Sequence, residues 1–177
     1  MKIFKSLTLA LILIVTGLAY SQKNDTNKLL ADAENAKQKM IQQDQGLKKF
    51  FNNASGYVIF PNVGEGGLIV GAASGKGIVY EKGNSVGIAS LKKLDIGVQA
   101  GGQALAQVIF FETKEALNEF KTDDYAFSAE VSAVVIESGA SQNANYNDGV
   151  VVFTMPKAGL MVDASVGGQK FDYEPFK

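Results

Sequence analysis

The chain has 177 residues, with 17 lysines against 18 Asp and Glu for a formal net charge of -1, and it contains no His, Cys, Arg or Trp. These absences exclude Ser-His-Asp and Cys-His nucleophile systems, zinc or haem sites built on His or Cys, and Arg clamps on phosphate. The mildly acidic balance lacks the basic footprint expected of a nucleic-acid partner.

The chain begins with Lys2 and Lys5, an apolar run from Leu7 to Leu18, and then Ala19-Tyr20-Ser21 before polar Gln22. The small residues Ala19 and Ser21, three before and one before the cut, predict a signal peptide over 1–21, cut after Ser21, and hence export to a periplasm or the outside. The run is too short for a spanning helix, which needs about 20 apolar residues. Cleavage would leave 15 of the 17 lysines against all 18 carboxylates.

Residues 22–55 read as an amphipathic helical segment. Leu29, Ala33, Ala36, Met40, Leu47 and Phe51 recur at helical steps between polar residues. Gly46 is expected to break the helix and leave a short second one from Leu47 to Phe51. Lys48 and Lys49 beside Phe50 and Phe51 have two readings, a membrane-docking patch or a core-facing Phe with solvated lysines. The net charge favours the second. Lys92 and Lys93 form a weaker basic candidate of the same kind.

From residue 56 to 177 the pattern is mainly strands. Tyr57 to Phe60 reads as a strand closed by Pro61, followed by a Gly-rich turn. Leu68 to Ser74 and Ile78 to Glu81 read as strands about a turn at Gly75 to Gly77, and Lys82-Gly83-Asn84 as a hairpin. Ser85 to Leu91 precedes a bend at Lys92 and Lys93. In Asp95 to Phe111, Gln99, Gln103 and Gln107 share one side, while Val98, Ala100, Gly102, Ala104, Ala106 and Val108 share the other. The Gln side is expected to meet solvent or a polar cavity, and the small side to pack closely on the helix or a strand.

Thr113 is the expected cap of a short helix near 113–121, carrying Ala116, Leu117 and Phe120 on one face. Phe127 to Ile136 reads as a strand, Ser138 to Gly149 as an Asn-rich loop, Val150 to Met155 as a strand stopped by Pro156, and Leu160 to Phe171 as a last long strand. The glycines lie within and between these strands, where they serve bends and close backbone approach. The fold class is therefore α+β, mainly antiparallel β: a strongly curved Gly-rich sheet or partly closed barrel with an N-terminal helical segment, forming one domain with that helix.

Motifs that suggest chemistry fail on spacing. Gly71 to Gly77 lacks the glycine and the Ser or Thr of a phosphate loop. Glu112, Glu115 and Glu119 share a helix face and read as a solvated one. No catalytic residue, cofactor site or metal site is named, and a non-enzymatic protein is expected.

From Gly56 onward the sequence resembles the lipid-binding SYLF domain family, whose yeast and animal members are also described as actin-regulating. Gly56 to Pro61 looks like the family's opening strand, and Gly67 to Tyr80, with Gly75 and Gly77, like its paired Gly-containing strands. Ile96 to Phe111, with Gln99 and Gly101, resembles the GxGxQxG stretch, and Ala116, Leu117 and Phe120 match its helix. Lys157 to Gly168, with Gly159, Ser165 and Gly168, looks like the closing motif. The Trp-Ser-x-Pro and Gly-Pro-x-Gly-Arg segments of eukaryotic members are replaced near Ser85 to Ser90 and Glu137 to Ser141. With them goes the Arg that suits phosphoinositide recognition. The resemblance implies a domain that binds lipid or a membrane surface; the signal pattern adds export, and the residue patterns described above make Lys48, Lys49, Phe50, Phe51, Lys92 and Lys93 the candidate contacts. The alternative is an envelope structural or protein-interaction module with a protein partner. A small outer-membrane barrel and an enzyme stand behind these two.

Overall fold

A computed structural model describes residues 24–66, 71–95, 103–122, 125–128, 131–157 and 166–176. The signal-peptide reading, Gln99, Gly101, Gly159 and Ser165 lie outside them. Helix α1 occupies 24–43 and α2 Leu47–Asn53. The strands β1 (Gly56–Gly66), β2 (Gly71–Glu81), β3 (Asn84–Asp95) and β4 (Gln103–Phe111) follow, and then helix α3 (Lys114–Phe120). After it come β5 (Tyr125–Ala126), β6 (Val134–Val135), a 3-10 turn at Ala140–Gln142, β7 (Val150–Pro156) and β8 (Lys170–Pro175). Among the described residues the sheet has eight strands in the order β5-β8-β3-β2-β1-β4-β7-β6, antiparallel except for the short β6-β7 pair.

The helical segment forms as its pattern predicts. Ala33, Ala36 and Met40 are buried on one face of α1, and the two alanines let the helix lie close to the sheet. The break falls at Asp44 to Gly46, where the Asp44 carboxylate accepts the Gly46 N–H at 2.9 Å. The hairpin at Lys82 and Gly83 has φ of 50° and 80°, the two positive values of a type I′ turn. Thr113 caps α3 by accepting the Ala116 N–H at 3.2 Å.

Pro61 does not close β1. The register slips by one residue against both neighbours, between Ile59 and Asn62 on the β2 side and between Phe60 and Val63 on the β4 side. Pro61 therefore sits in a bulge, where a missing N–H is tolerated even in a central strand. The expected turn at Gly75 to Gly77 is also absent, because both glycines lie inside β2 opposite that bulge. A Cβ on Gly77 would stand 2.7 Å from the Ile59 carbonyl oxygen and 2.7 Å from the Phe60 ring. Gly77→Ala is expected to cost about 2 kcal/mol through this overpacking, measured by urea unfolding. A loss below about 0.5 kcal/mol would show that the bulge shifts freely.

Three further expectations are corrected. Lys92 and Lys93 do not bend the chain, since β3 runs through them to Asp95. Phe127 to Ile136 is not one strand, because β5 pairs with β8 and β6 with β7, at opposite edges of the sheet. A segment that crosses between two edges cannot keep a ladder. Of the last strand read over Leu160 to Phe171, residues 160–165 lie outside the described residues; within the rest, 166–169 form a turn, with Gly168 at φ 76°, before β8 begins at Lys170.

The sheet is curled into a half-barrel. Strands β4 and β8 are four places apart, roughly 19 Å in a flat sheet at the usual spacing. Yet the side chain of Gln107 on β4 meets that of Gln169, beside β8, at 2.9 Å. The concave core packs Phe60, Ile109, Phe111 and Phe171 with Leu117 and Phe120 of α3. The convex core packs Tyr57, Ile59, Phe110 and Phe153 with Met40, Leu47 and Phe50 of the first two helices. The outer face of β1, β4 and β7 is thus covered by protein, unlike that of a lipid-facing barrel. No helix among the described residues is long and apolar enough to cross a membrane.

Candidate functional site

Helical spacing divides the Lys48 to Phe51 segment. Lys48 and Lys49 are exposed, whereas Phe50 is buried against Phe110, Tyr146 and Phe153, with ring centroids 5.5, 5.7 and 5.2 Å away. Phe51 is half-buried, edge-on to Tyr57 at 5.1 Å and Phe110 at 4.8 Å, with the Lys37 ammonium 5.0 Å above its ring. That ammonium also donates to the Tyr57 hydroxyl at 3.3 Å. Of the two readings, the fold matches the core-facing one for Phe50, with Lys48 and Lys49 in solvent. Both rings hold α2 on the sheet, and inserting Phe50 in a bilayer would empty the convex core.

Lys92 is exposed and pairs with Asp172 across β3 and β8 at 3.3 Å. With both side chains more than half in water, such a pair contributes little to stability. The side chain of Lys93 lies outside the described residues.

The family-motif residues inside the described segments are structural. A Cβ on Gly56 would meet Leu117 and the Tyr80 carbonyl oxygen, each at 2.7 Å. Phe120 packs on Phe111 at 4.9 Å and Phe171 at 5.3 Å. Gly168 supplies the left-handed turn before β8. Of the two expectations for the Gln side, solvent or a polar interior, Gln107 does not meet solvent: it is fully buried, with its amide satisfied by Gln169. Ala106 and Val108, on the other side of β4, pack in the convex core beneath the helices as expected.

The α1-α2 corner is fixed from below. Asp44 is 4% exposed, and its carboxylate accepts the Ser141 N–H at 2.7 Å as well as that of Gly46. Burial alone would raise its pKa, but the donors from Ser141, Gly46 and Gly139 outweigh burial and hold it below the ordinary carboxylate value. One residue earlier, Gln43 Nε2 donates to the Ile136 carbonyl at 2.7 Å. The last turns of α1 are thereby pinned beside the end of β7.

A cleft of about 660 Å³ opens between those two elements, lined by Lys39, Gln42, Gln43, Met155, Pro156 and Lys157. No carboxylate is among these residues. Lys157 donates to the neutral Asn62 side chain, so its charge is not cancelled there. Two ammonium groups with amide donors suit a phosphate or another oxyanion. A larger cleft of about 910 Å³ lies at the other end of α1, against β2, β3 and β8. Its charged lining is Asp25, Asp32, Asp172 and Glu174 against Lys28 and Lys76. Over the roughly 30 Å that a helix of this length spans, the surface thus passes from acidic to basic.

The sequence reading did not single out Lys39 or Lys157. Lys39, Gln42 and Gln43 share a helix face by their spacing, which was a usable signal. Lys157 joins them only through the pairing of β7, which no local pattern reveals.

Residues 92–174 match the family model described as Las17-binding protein actin regulator, Ysc84. Over 141 residues the chain is 27% identical to Beta cell expansion factor A of Aeromonas veronii, a match covering 78% of this chain and 53% of the relative. The chain spans about half the length of that curated relative.

Proposed function

Residues 92–174 belong to the Las17-binding protein actin regulator (Ysc84, or SYLF) family, and from that premise we propose that the chain is a non-enzymatic, exported domain that binds an anionic lipid or membrane surface. The signal-peptide pattern supports export, and the family resemblance supports lipid as the partner. The observation that carries the reading is the cleft holding Lys39 and Lys157, with no carboxylate among its described lining residues. The acidic cleft at the far end of α1 complements it. On an anionic surface the opposed ends turn the molecule so that the α1-β7 cleft faces the headgroups.

Vesicle flotation of the chain from Gln22 onward tests this. Binding is expected to vesicles containing anionic phospholipid and to fall as salt rises. Near such a surface each lysine contributes about 1 kcal/mol. Lys39→Glu with Lys157→Glu should therefore weaken association at least about 30-fold. Lys48→Glu with Lys49→Glu should weaken it less. No association with anionic or neutral vesicles would sink the lipid reading in favour of a protein partner in the envelope. A larger loss from the Lys48 and Lys49 pair would move the contact to α2.

A further inference from the structure

Near the end of the sheet where β1 and β3 finish and β2 and β8 begin, two rows of residues run across four strands. Ladder partners place Asn62, Lys76, Ser90 and Asp172 in one row, and Gly64, Ser74, Lys92 and Lys170 in the next. Residues opposite each other in a ladder share a face, and so do alternate residues along a strand. Ile78, two residues beyond Lys76, packs beneath the helices, so both rows lie on the helix-bearing face. All of these residues are exposed except half-buried Ser90. A Cβ on Gly64 would meet nothing within 4 Å.

The charge of this patch is one-sided. The rows hold Lys76, Lys92 and Lys170 against Asp172 alone, and Lys157 adds its ammonium at Asn62. Lys92 and Lys170 stand directly opposite in the ladder. Like charges so placed destabilise a sheet, and Asp172 pairs only with Lys92, at 3.3 Å. Among the described residues no carboxylate pairs with Lys76, Lys157 or Lys170. An anion held over the opposed lysines turns their repulsion into attraction. At the other end of the strands the charge is mixed, with Lys82 and Lys114 near Glu81.

The patch is also broad. From Lys170 on β8 to Asn62 on β1, where Lys157 reaches, is three strand spacings, about 14 Å. An ammonium meets a phosphate oxygen at about 2.8 Å, so one phosphate cannot serve both ends. The lysines suit an array of anions on a common surface.

We propose that this end of the sheet, through Lys76, Lys92 and Lys170, is a second contact with an anionic lipid surface, continuous with the Lys39-Lys157 cleft through Asn62. The inference rests on the lipid reading and adds to it the pose. The strands stand end-on to the headgroups, with the Lys82-Gly83 hairpin pointing away. Contact by the α1-β7 corner alone would leave Lys92 and Lys170 in water.

Flotation with anionic phospholipid vesicles tests the pose. Lys92→Gln with Lys170→Gln is expected to weaken association about 30-fold. The melting temperature should stay unchanged or rise, since opposed like charges are removed. Lys82→Gln with Lys114→Gln makes the same charge change at the far end, beyond a Debye length from the headgroups, and should weaken association less than about threefold. Equal losses from the two pairs would show a response to net charge and overturn the pose, as would no loss from Lys92 and Lys170. A binding loss accompanied by a fall in melting temperature makes the opposed pair structural and also overturns it. So does release of the wild type by sodium phosphate at an ionic strength where sodium chloride leaves it bound, which marks a small-oxyanion site in place of a surface contact. Each of these outcomes requires flotation of the wild type; without it the lipid reading itself fails and takes the pose with it.

Discussion

Phe171→Ala is expected to cost about 4 kcal/mol of folding stability, measured by urea or thermal unfolding. The side chain is 1% exposed and meets four rings, those of Phe60, Phe120, Tyr125 and Phe127, at centroid distances of 5.9, 5.3, 6.1 and 5.0 Å. These rings come from β1, α3, β5 and the segment after it, so no single element can move in to fill the void. Phe171→Leu, which keeps most of the volume, should cost no more than about 1.5 kcal/mol. A loss under about 1 kcal/mol for the alanine variant would mean that the concave core collapses around the gap, and that the half-barrel is less tightly filled than its contacts indicate.

Asp44→Ala should cost about 3 kcal/mol, because the substitution removes charge-assisted bonds to two backbone N–H groups and leaves the buried Ser141 donor unpaired. Asp44→Asn, which keeps an acceptor oxygen, should cost less. The pH dependence follows from the lowered pKa. Since the folded value lies below the unfolded one, near 3.8, the contribution of Asp44 is complete above the unfolded value. It is lost as pH falls through the folded value. In acid titrations of stability the difference between wild type and Asp44→Asn should therefore shrink as pH drops below about 4. A difference independent of pH would mean that the carboxylate is not the acceptor at that corner.

The elements set by local chemistry were legible. The buried stripe of α1, the two positive φ values at Lys82 and Gly83, and the Thr113 cap each depend on a few adjacent residues. The errors share a different cause. Pro61, Gly75 and Gly77 read as strand ends and turns because their proper context is each other, across two strands. Whether the side of Gln107 met solvent or a polar interior stayed open in the sequence, because its partner stands 62 residues away on the far side of the curl. Lys48 to Phe51 left two readings open in the sequence, and only Phe110, Tyr146 and Phe153, from distant parts of the chain, decide for Phe50 by enclosing it. The basic cleft was hidden for the same reason, since Lys39 and Lys157 are brought together only by the packing of α1 beside β7.

The strand order carries a consequence for cutting the chain. The family match begins at Lys92, inside β3, yet the strands between β3 and β4 in the sheet are β2 and β1, both encoded earlier in the sequence. A fragment limited to 92–174 would keep β4 and β8 but lose the two strands that join them. It would expose the β4 edge along Phe111, Ile109 and Val108, an invitation to aggregate. The recognisable half is therefore not an autonomous folding unit. Any truncation meant to preserve the domain has to retain Gly56 to Glu81, together with the helices that cover its convex face.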